Sequence, residues 1–299
     1  MSVYLCGDLE PSELDGWLGH LREALPEETI DHDLARLGPA LVDVAVVANP
    51  APGRLRDLGN LQLIQSLWAG VDRLLGDTTL PLDVPLARMV DPAMADAMAE
   101  TALWATLSLQ RGFFAYQRQQ QAGLWQVLPQ RRADETQVAV LGLGELGGRV
   151  AQRLSGQGYR VLGWRRSSGP LEPVLAAADV VVNLLPLTGQ TRGLFDARRF
   201  GAMKRGAGFV NLARGAQVVE ADLLAALATR QVGHAVLDVF QAEPLPPGHA
   251  FWSHPCVTVL PHAAALTDPR SAAAVVAANV RALREGRPLA HLVERGRGY

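Results

Sequence analysis

Little in this chain of 299 residues would cross-link it or anchor it in a membrane. Its two cysteines, Cys6 and Cys256, are too few for a disulfide framework and cannot by themselves form a four-ligand zinc site, so we expect two reduced thiols. No charge-free apolar run approaches the roughly 18–20 residues that a membrane helix needs. Residues 1–8 lack the basic segment of a signal peptide. These absences predict a cytoplasmic protein without membrane contact.

An excess of one charge sign is also missing. The 28 lysines and arginines nearly balance the 30 aspartates and glutamates, which leaves a net charge of −2. Such a balance gives no general attraction to nucleic acid, so we expect no nucleic-acid partner. The hydrophobic fraction of 48% and the charged fraction of 19% exclude general disorder. The length suits one large or two ordinary domains.

The chain does contain a regular alternation of short apolar runs and helical patterns, which is typical of βαβ units and a parallel sheet. This pattern predicts an α/β fold. Three strands are predicted in the first ninety residues, at 3–5, 42–47 and 61–65. Six more are predicted at 137–141, 160–164, 180–184, 209–211, 235–238 and 257–260.

Two Asp-Pro pairs divide the chain. Asp91-Pro92 and Asp268-Pro269 each open a helical pattern, because the aspartate can cap free backbone N–H groups and proline fits the first helical turn. The two pairs bracket the six later strands. We therefore predict a discontinuous smaller domain, 1–91 with 269–299, and a second domain at 92–268.

A glycine-rich loop follows the first of the six later strands. Residues 142–147 have the pattern GxGxxG between a predicted strand and a helical pattern, the context that a dinucleotide-binding loop requires. Gly142 allows the tight turn, Gly144 lets the backbone approach a pyrophosphate, and Gly147 lets the helix pack closely on the sheet. The helix N-terminus would then face the phosphates. The alternative is a glycine-rich turn that holds no ligand.

The end of the next predicted strand points to the choice of cofactor. An enzyme that uses NAD usually has an Asp or Glu about 20 residues after the loop, where it binds the ribose 2′-hydroxyl. Here the chain has Arg165, Arg166 and Ser167 and no acid. Two guanidinium groups and a hydroxyl suit a 2′-phosphate, so we predict a preference for NADP(H) and leave NAD(H) open. The alternative is a solvated basic turn that does not discriminate between cofactors.

Three polar residues follow later strands of the same predicted sheet. Arg214, Glu243 and His262 stand at or after the carboxyl ends of these strands, where open α/β sheets bind their ligands. The guanidinium can bind a substrate carboxylate and polarise a ketone oxygen, the imidazolium can donate a proton, and the carboxylate can orient the ring and raise its pKa. Taken singly, the alternatives are a cap or salt bridge, a turn residue and a loop histidine.

Seven segments together resemble the D-2-hydroxyacid dehydrogenase family, over essentially the whole chain. They are LWAGVD at 67–72, GLGELG at 142–147, LPLT at 185–188, NLARG at 211–215, LDVF at 237–240, EPLP at 243–246 and PH at 261–262. The run 183–186, the turn 164–167 and the C-terminal residues 295–299 are most similar to the glyoxylate/hydroxypyruvate reductase A branch of that family.

The resemblance implies a Rossmann-type doubly wound parallel-sheet domain that binds the dinucleotide and a smaller, discontinuous, flavodoxin-like α/β domain that binds the substrate. It implies that Arg214, Glu243 and His262 form the catalytic set, and that backbone groups of Ala69, Gly70 and Val71 hold the substrate carboxylate. It implies cofactor contacts at Leu146, Gly147, Leu185, Pro186, Thr191, Ala213 and Asp238, with Asp238 at the nicotinamide carboxamide.

The resemblance also implies a homodimer whose long helix, residues 92–116, lies near the interface. Two positions depart from the pattern of the branch. Ala48 stands where the branch carries a tryptophan near the substrate, and Trp68 stands in the carboxylate loop where a small residue is usual. A substrate of different shape is therefore open.

From these residues we predict NADPH-dependent reduction of a small 2-keto acid, of the glyoxylate or hydroxypyruvate type, to the 2-hydroxy acid, with His262 as the proton donor. Two alternatives stay open. One is a dehydrogenase of the same fold that oxidises formate or phosphite. The His262–Glu243 pair does not argue against it, since that reaction has no ketone to protonate. The other is a non-enzymatic binding protein that senses NAD(P).

Overall fold

The computed structural model of this protein describes residues 2–298. Met1 and Tyr299 lie outside the described residues, so the last residue of the C-terminal run compared with the family above has no structural counterpart here. The chain divides into two compact units. The first comprises Met1–Ala93 and Thr267–Tyr299, and the second comprises Met94–Leu266.

The described residues form eleven strands and eleven α-helices. The strands are β1 (Ser2–Gly7), β2 (Thr29–Asp31), β3 (Val42–Ala48), β4 (Leu63–Ser66), β5 (Leu86–Ala87), β6 (Gln137–Leu141), β7 (Arg160–Trp164), β8 (Val180–Asn183), β9 (Ala207–Asn211), β10 (Val232–Leu237) and β11 (Val257–Val259). The helices are α1 (Pro11–Ala24), α2 (Leu34–Leu37), α3 (Asp72–Leu75), α4 (Pro92–Arg111), α5 (Phe113–Gln121), α6 (Glu145–Gly156), α7 (Glu172–Ala177), α8 (Ala197–Ala202), α9 (Glu220–Ala228), α10 (Ala250–Ser253) and α11 (Pro269–Arg284).

The first unit is built on a five-stranded parallel sheet in the order β2-β1-β3-β4-β5. This is the flavodoxin-like order 2-1-3-4-5. β1 and β3 are almost wholly buried, because a parallel sheet has helices on both faces. β2 and β5 have only three and two residues and were not predicted from the sequence, since runs that short carry no measurable periodicity.

The second unit contains a six-stranded parallel sheet in the order β11-β10-β9-β8-β6-β7. All six strands predicted for this region are present. From β6 the chain moves to β7 on one side and then returns to β8 on the other, so the order reverses beside β6, where doubly wound sheets bind ligands. Separate apolar cores cover the two faces of the sheet, one centred on Phe195, Phe200 and Phe209 and one on α4 and α6.

Both Asp-Pro pairs start helices as predicted. An Asp91 carboxylate oxygen accepts the Ala93 N–H at 3.0 Å, and Asp268 caps α11 by accepting the Arg270 N–H. The long helix expected over 92–116 is broken, however. Gly112 has a left-handed φ of 71°, which separates α4 from α5. Among residues 2–298, no helix is both long and apolar enough to cross a membrane.

Candidate active site

The loop between β6 and α6 has the backbone shape that a pyrophosphate needs. Gly142 has a φ of 96°, and a Cβ there would lie 2.7 Å from the Leu184 carbonyl oxygen. A Cβ on Gly147 would lie 1.8 Å from the carbonyl oxygen of Gly142. Both positions therefore exclude a side chain. Gly144 is exposed, and a Cβ there would meet nothing within 4 Å, so its backbone faces open space.

The same loop presents backbone donors. The N–H groups of Gly144, Glu145 and Leu146 have no acceptor among residues 2–298. They stand at the N-terminus of α6, where free N–H groups and the helix dipole favour an anion. This arrangement fits the phosphates of a dinucleotide, and Leu146 takes part in it through its backbone N–H.

The basic turn lies directly beside this loop. The Arg165 guanidinium donates to the Leu143 carbonyl at 2.7 Å, which brings a positive charge against the phosphate loop. Arg166 donates to the Gln190 side chain, and Ser167 lies in the exposed 3-10 turn Arg166–Ser168. No carboxylate occurs in residues 165–169. The turn therefore has the charge and exposure that a 2′-phosphate requires.

The residues after β8 and β9 that are predicted to contact the cofactor lie next to a buried amide network that sequence analysis did not identify. Asn183 Nδ2 donates to Asn211 Oδ1 at 2.9 Å and to Gln217 Oε1 at 2.7 Å. Gln217 Nε2 in turn donates to the carbonyl of Leu185 at 2.9 Å. Thr191 Oγ1 donates to the Pro186 carbonyl at 2.6 Å. The available sequence signal for this network was the asparagine at the end of each of these two apolar strands, because a buried amide needs hydrogen-bond partners.

His262 and Glu243 form the pair that the sequence predicts. His262 Nδ1 lies 2.7 Å from Glu243 Oε2, and the other carboxylate oxygen of Glu243 accepts the Phe240 N–H at 2.8 Å. A carboxylate only accepts, so Nδ1 carries the proton and Nε2 faces away from the pair. The His262 side chain is about half exposed, which leaves Nε2 accessible to a ligand.

The contact between His262 and Glu243 shifts the pKa of both side chains. The hydrogen bond to Glu243 raises the pKa of His262 above its ordinary value; burial and the charge of Arg214 oppose this shift, and Asp238 supports it. Burial would raise the pKa of Glu243. The His262 hydrogen bond, the Phe240 N–H and the positive charges of His262 and Arg214 outweigh that effect and hold the pKa of Glu243 below its ordinary value. His262 is thus favoured in its protonated, proton-donating form.

Arg214 directly follows the segment after β9. Its Nη1 donates to the Ala213 carbonyl at 2.8 Å, and its own carbonyl accepts the Asn211 side chain at 3.2 Å. Ala213 is buried at this point, at 7% exposure. The charge of Arg214 acts on both His262 and Glu243, so the structure brings all three predicted side chains into one electrostatic group.

Asp238 fixes the backbone that carries His262. Its carbonyl accepts the His262 N–H at 2.9 Å, and its carboxylate accepts the N–H groups of Ala263 at 2.7 Å and Ala264 at 3.1 Å. The Asp238 side chain is buried, and burial raises its pKa despite these hydrogen bonds. His262 itself has a φ of 53°, a left-handed conformation that the surrounding bonds maintain.

In the first unit, the loop after β4 offers backbone donors. Ser66 Oγ accepts the Trp68 N–H at 3.0 Å and donates to the Trp68 carbonyl, which also accepts the Met89 N–H at 3.1 Å. Within residues 2–298, no acceptor pairs with the N–H groups of the next three residues, Ala69, Gly70 and Val71. A row of free N–H groups on a pinned backbone is suited to a carboxylate.

Ala48 lies at the carboxyl end of β3 and is fully buried. A Cβ on Gly7 would lie 2.5 Å from its methyl group. β1 and β3 therefore approach closely here, and Ala48 is packed against the neighbouring strand. Trp68 is half-buried in the loop after β4.

Comparison with known proteins gives the class. The model of the D-isomer specific 2-hydroxyacid dehydrogenase, NAD binding domain, matches residues 103–264, which include the phosphate loop and the three charged side chains. The chain belongs to the D-2-hydroxyacid dehydrogenase family.

Individual relatives place it in one branch, that of glyoxylate/hydroxypyruvate reductase A. The protein of that name from Serratia proteamaculans (strain 568) is 39% identical over 95% of this chain and 96% of its own length. A D-isomer specific 2-hydroxyacid dehydrogenase from Xanthobacter autotrophicus Py2, solved with NADPH and MES, is 36% identical with a TM-score of 0.93 over the whole of both chains. An NADPH-dependent glyoxylate/hydroxypyruvate reductase from Sinorhizobium meliloti, solved with NADP and sulfate, is 34% identical with a TM-score of 0.92, again over both full chains.

Proposed function

We propose that this protein reduces a small 2-keto acid of the glyoxylate or hydroxypyruvate type to the 2-hydroxy acid, with NADPH as the reductant. The observation that carries the proposal is the pair of His262 Nδ1 and Glu243 Oε2 at 2.7 Å, in a unit that also holds a dinucleotide loop. The names of the relatives from Serratia proteamaculans and Sinorhizobium meliloti support the same reaction.

Each side chain has one task in this reaction. Bound NADPH supplies the hydride that the keto carbon accepts. His262 donates the proton that the new alkoxide needs, and Glu243 stabilises the imidazolium from which that proton comes. Arg214 binds the substrate carboxylate and stabilises negative charge on the ketone oxygen. We further propose that the free N–H groups of Ala69, Gly70 and Val71 bind the carboxylate, as the family resemblance implies.

The residues present fit NADPH rather than NADH. The free N–H groups of the phosphate loop would bind the pyrophosphate, and Arg165, Arg166 and Ser167 would bind the 2′-phosphate. Leu185, Pro186, Thr191 and Ala213 would contact the cofactor, and Asp238 would meet the nicotinamide carboxamide, as the family resemblance implies. Two structural relatives were solved with NADPH or NADP, which supports this choice.

Initial rates of NADPH and NADH oxidation test the function. Glyoxylate, hydroxypyruvate, 2-ketobutyrate and phenylpyruvate are each offered with both cofactors. We expect turnover of the smaller keto acids and a higher kcat/KM with NADPH. Absence of keto-acid reduction together with oxidation of formate or phosphite would overturn the proposal, and absence of all turnover with intact dinucleotide binding would favour a sensor.

We also propose that the protein is a homodimer and that it works in the cytoplasm, where its two buried thiols, Cys6 and Cys256, stay reduced. Six large apolar side chains between residues 104 and 127 are exposed: Trp104, Leu107, Phe113, Leu124, Trp125 and Val127. Trp125 is fully exposed. Such a concentration of apolar surface in one stretch of chain is typical of an interface.

Light scattering after gel filtration tests the dimer. The wild type should have twice the chain mass, and Trp125→Glu should shift it to the mass of one chain. Leu82→Glu, at a strongly exposed leucine in the first unit, serves as the control and should leave the mass unchanged. A wild-type protein with the mass of one chain would refute the dimer.

A further inference from the structure

A second glutamate and histidine contact the segment that carries Glu243, and neither was predicted as functional. Glu220 is the first residue of α9, and His249 is the residue just before α10. Glu220 Oε2 lies 3.4 Å from His249 Nε2, and both side chains are less than one quarter exposed. The segment between β10 and α10, which carries Glu243, ends at this contact.

Glu220 holds both ends of the segment 241–249. Its Oε1 accepts the Gln241 N–H at 3.3 Å, and its Oε2 faces His249. Glu243 lies between these two points of attachment. One carboxylate therefore closes the segment at both ends, and this closure reduces the number of positions that the Glu243 backbone can adopt.

The ring of His249 is arranged to make this contact as a neutral donor. His249 Nδ1 accepts the Phe251 N–H at 3.3 Å, which caps α10. A nitrogen that accepts a hydrogen bond carries no proton, so the proton of the neutral ring is on Nε2 and points to Glu220. The backbone N–H of His249 also donates to the Pro246 carbonyl at 3.2 Å, so the backbone that carries the ring is held within the same segment.

The Arg214 segment is attached to the same structure. Gln241 Nε2 donates to the Val218 carbonyl at 2.8 Å. A Cβ on Gly215, the residue after Arg214, would lie 1.9 Å from the carbonyl carbon of Phe240, so the two backbones are in direct contact. The chain from Arg214 to Glu220 and the chain from Phe240 to His249 therefore form one packed unit, and Glu220 supplies its charged attachment.

We propose that Glu220 and His249 are positioning residues that fix the segment carrying Glu243, so that its Oε2 stays within hydrogen-bond distance of His262 Nδ1. Neither residue touches substrate or cofactor in this proposal. It rests on the proposed role of the His262–Glu243 pair. Without Glu220, the segment gains freedom, Glu243 is displaced on average from His262, and the protonated ring loses its main support.

The readout specific to this proposal is the acidity of His262. The charged groups with the largest effects on the pKa of His262 are Glu243, Arg214 and Asp238. Because Glu220→Gln removes the charge of Glu220 and keeps an acceptor for Gln241, its comparison with Glu220→Ala separates movement of Glu243 from direct loss of charge. NMR titration of the His262 ring, assigned with His262→Gln, measures this pKa in the dinucleotide-loaded protein.

The experiment compares Glu220→Ala and Glu220→Gln with Glu172→Ala. Glu172 is the first residue of α7 in the same unit and pairs with Arg198, so its variant controls for loss of a carboxylate at a helix start. Glu220→Ala should lower the pKa of His262 and reduce kcat about tenfold with KM for NADPH nearly unchanged, because small displacements of a catalytic group have large rate effects. Glu220→Gln, which keeps an acceptor for Gln241, should recover part of the loss.

A second variant keeps the proposal testable if Glu220→Ala does not fold. His249→Asn retains an oxygen that can cap α10 and removes the contact with Glu220. It should reduce kcat several-fold and lower the pKa of His262. A wild-type pKa of His262 and a wild-type kcat in folded Glu220→Ala, or in His249→Asn where Glu220→Ala does not fold, would overturn the positioning role. Because the titration needs no turnover, this result is separable from a wild type that reduces no keto acid.

Discussion

The two parallel sheets each carry a charged group that can be compared, one at a carboxyl edge and one at an amino edge. In the six-stranded sheet, Arg214, Glu243 and His262 follow the carboxyl ends of strands and are partly exposed. In the five-stranded sheet, Arg284 of α11 binds Glu28 and Asp43 near the amino ends of the strands; Asp43 is buried, and the side chains of Arg284 and Glu28 are largely buried. The carboxyl edge of that sheet offers backbone N–H groups after Trp68 instead.

This difference separates chemistry from stability. A proton donor has to meet its substrate, so its charge must be partly accessible and held near a balance of protonation states. A largely buried arginine between two carboxylates has no need to reach a substrate, and its loss leaves two unpaired charges in the protein. Substitutions at the two places should therefore change different measured quantities.

The largest effect is expected for His262→Gln. In the proposed reaction His262 is the general acid, so its loss should reduce kcat for keto-acid reduction about 10²- to 10⁴-fold, while the denaturant midpoint of unfolding should stay close to wild type because the ring is half exposed. Stopped-flow NADPH oxidation and urea unfolding measure the two. His20→Gln, on α1, is the control. Retention of the rate within about threefold would assign proton transfer to another group.

Arg284→Ala should show the reverse. Breaking a buried ion pair destabilises a protein by about 3–5 kcal/mol, and here one guanidinium joins Glu28 and Asp43 at 2.6 Å each. The midpoint of urea unfolding should fall strongly, whereas kcat per folded molecule stays unchanged. Arg287→Ala removes an exposed pair with Glu285 and should have little effect. Equal effects of the two variants would contradict this assignment.

Glu243→Gln tests the electrostatic part of the comparison. Hydrogen bonds to charged groups contribute about 1.5–3 kcal/mol, so kcat should fall about 10- to 10²-fold. The sign of the pH effect follows from His262, whose pKa the pair raises. The proposed reduction uses the protonated ring, so activity should fall as pH rises through that pKa, and the variant should lose activity at lower pH than wild type. A pH profile with an unshifted alkaline limb would contradict the pair's role.

Cofactor choice gives a smaller effect. Arg165→Ala combined with Arg166→Ala removes two exposed charges from the turn beside the phosphate loop. The KM for NADPH should rise about tenfold because charge-assisted bonds to a 2′-phosphate are lost, and the KM for NADH should stay nearly the same. The ratio of kcat/KM for the two cofactors measures the change. A uniform loss with both cofactors would indicate damage to the shared pyrophosphate site.

Sequence analysis located residues correctly where a local pattern at a strand end marks them. The glycines at 142, 144 and 147 and the three charged residues stand in local patterns that need no knowledge of distant contacts. The Asp-Pro helix starts are equally local, since the cap joins Asp91 to Ala93. The six strands after residue 136 were confirmed for the same reason: each is a short apolar run between turn residues.

Features that depend on pairs of distant residues were missed. The amide network joins Asn183 to Asn211 and Gln217, and Glu220 reaches Gln241 and His249; nothing in the spacing of these residues marks them as partners. The break at Gly112 was also missed, because apolar spacing continues through a single left-handed residue. A glycine inside a helical pattern was the one local sign of that break.

The smallest expected effect concerns the backbone edge of the five-stranded sheet. Trp68 is half-buried, and its backbone is pinned by Ser66 and Met89 just before the free N–H groups. Trp68→Ala keeps those donors and removes the indole, so the proposed carboxylate binding should persist while the space beside it grows. The kcat/KM for phenylpyruvate relative to glyoxylate should rise about 5- to 10-fold, at the low end of the roughly 1–3 kcal/mol by which apolar pocket contacts discriminate. Leu82→Ala is the control, and an unchanged ratio would place the specificity determinant elsewhere. An equal fall in kcat/KM for both acids would mean instead that the indole holds the loop after β4 in place. The carboxyl edge of the five-stranded sheet would then be as sensitive to substitution as that of the six-stranded sheet.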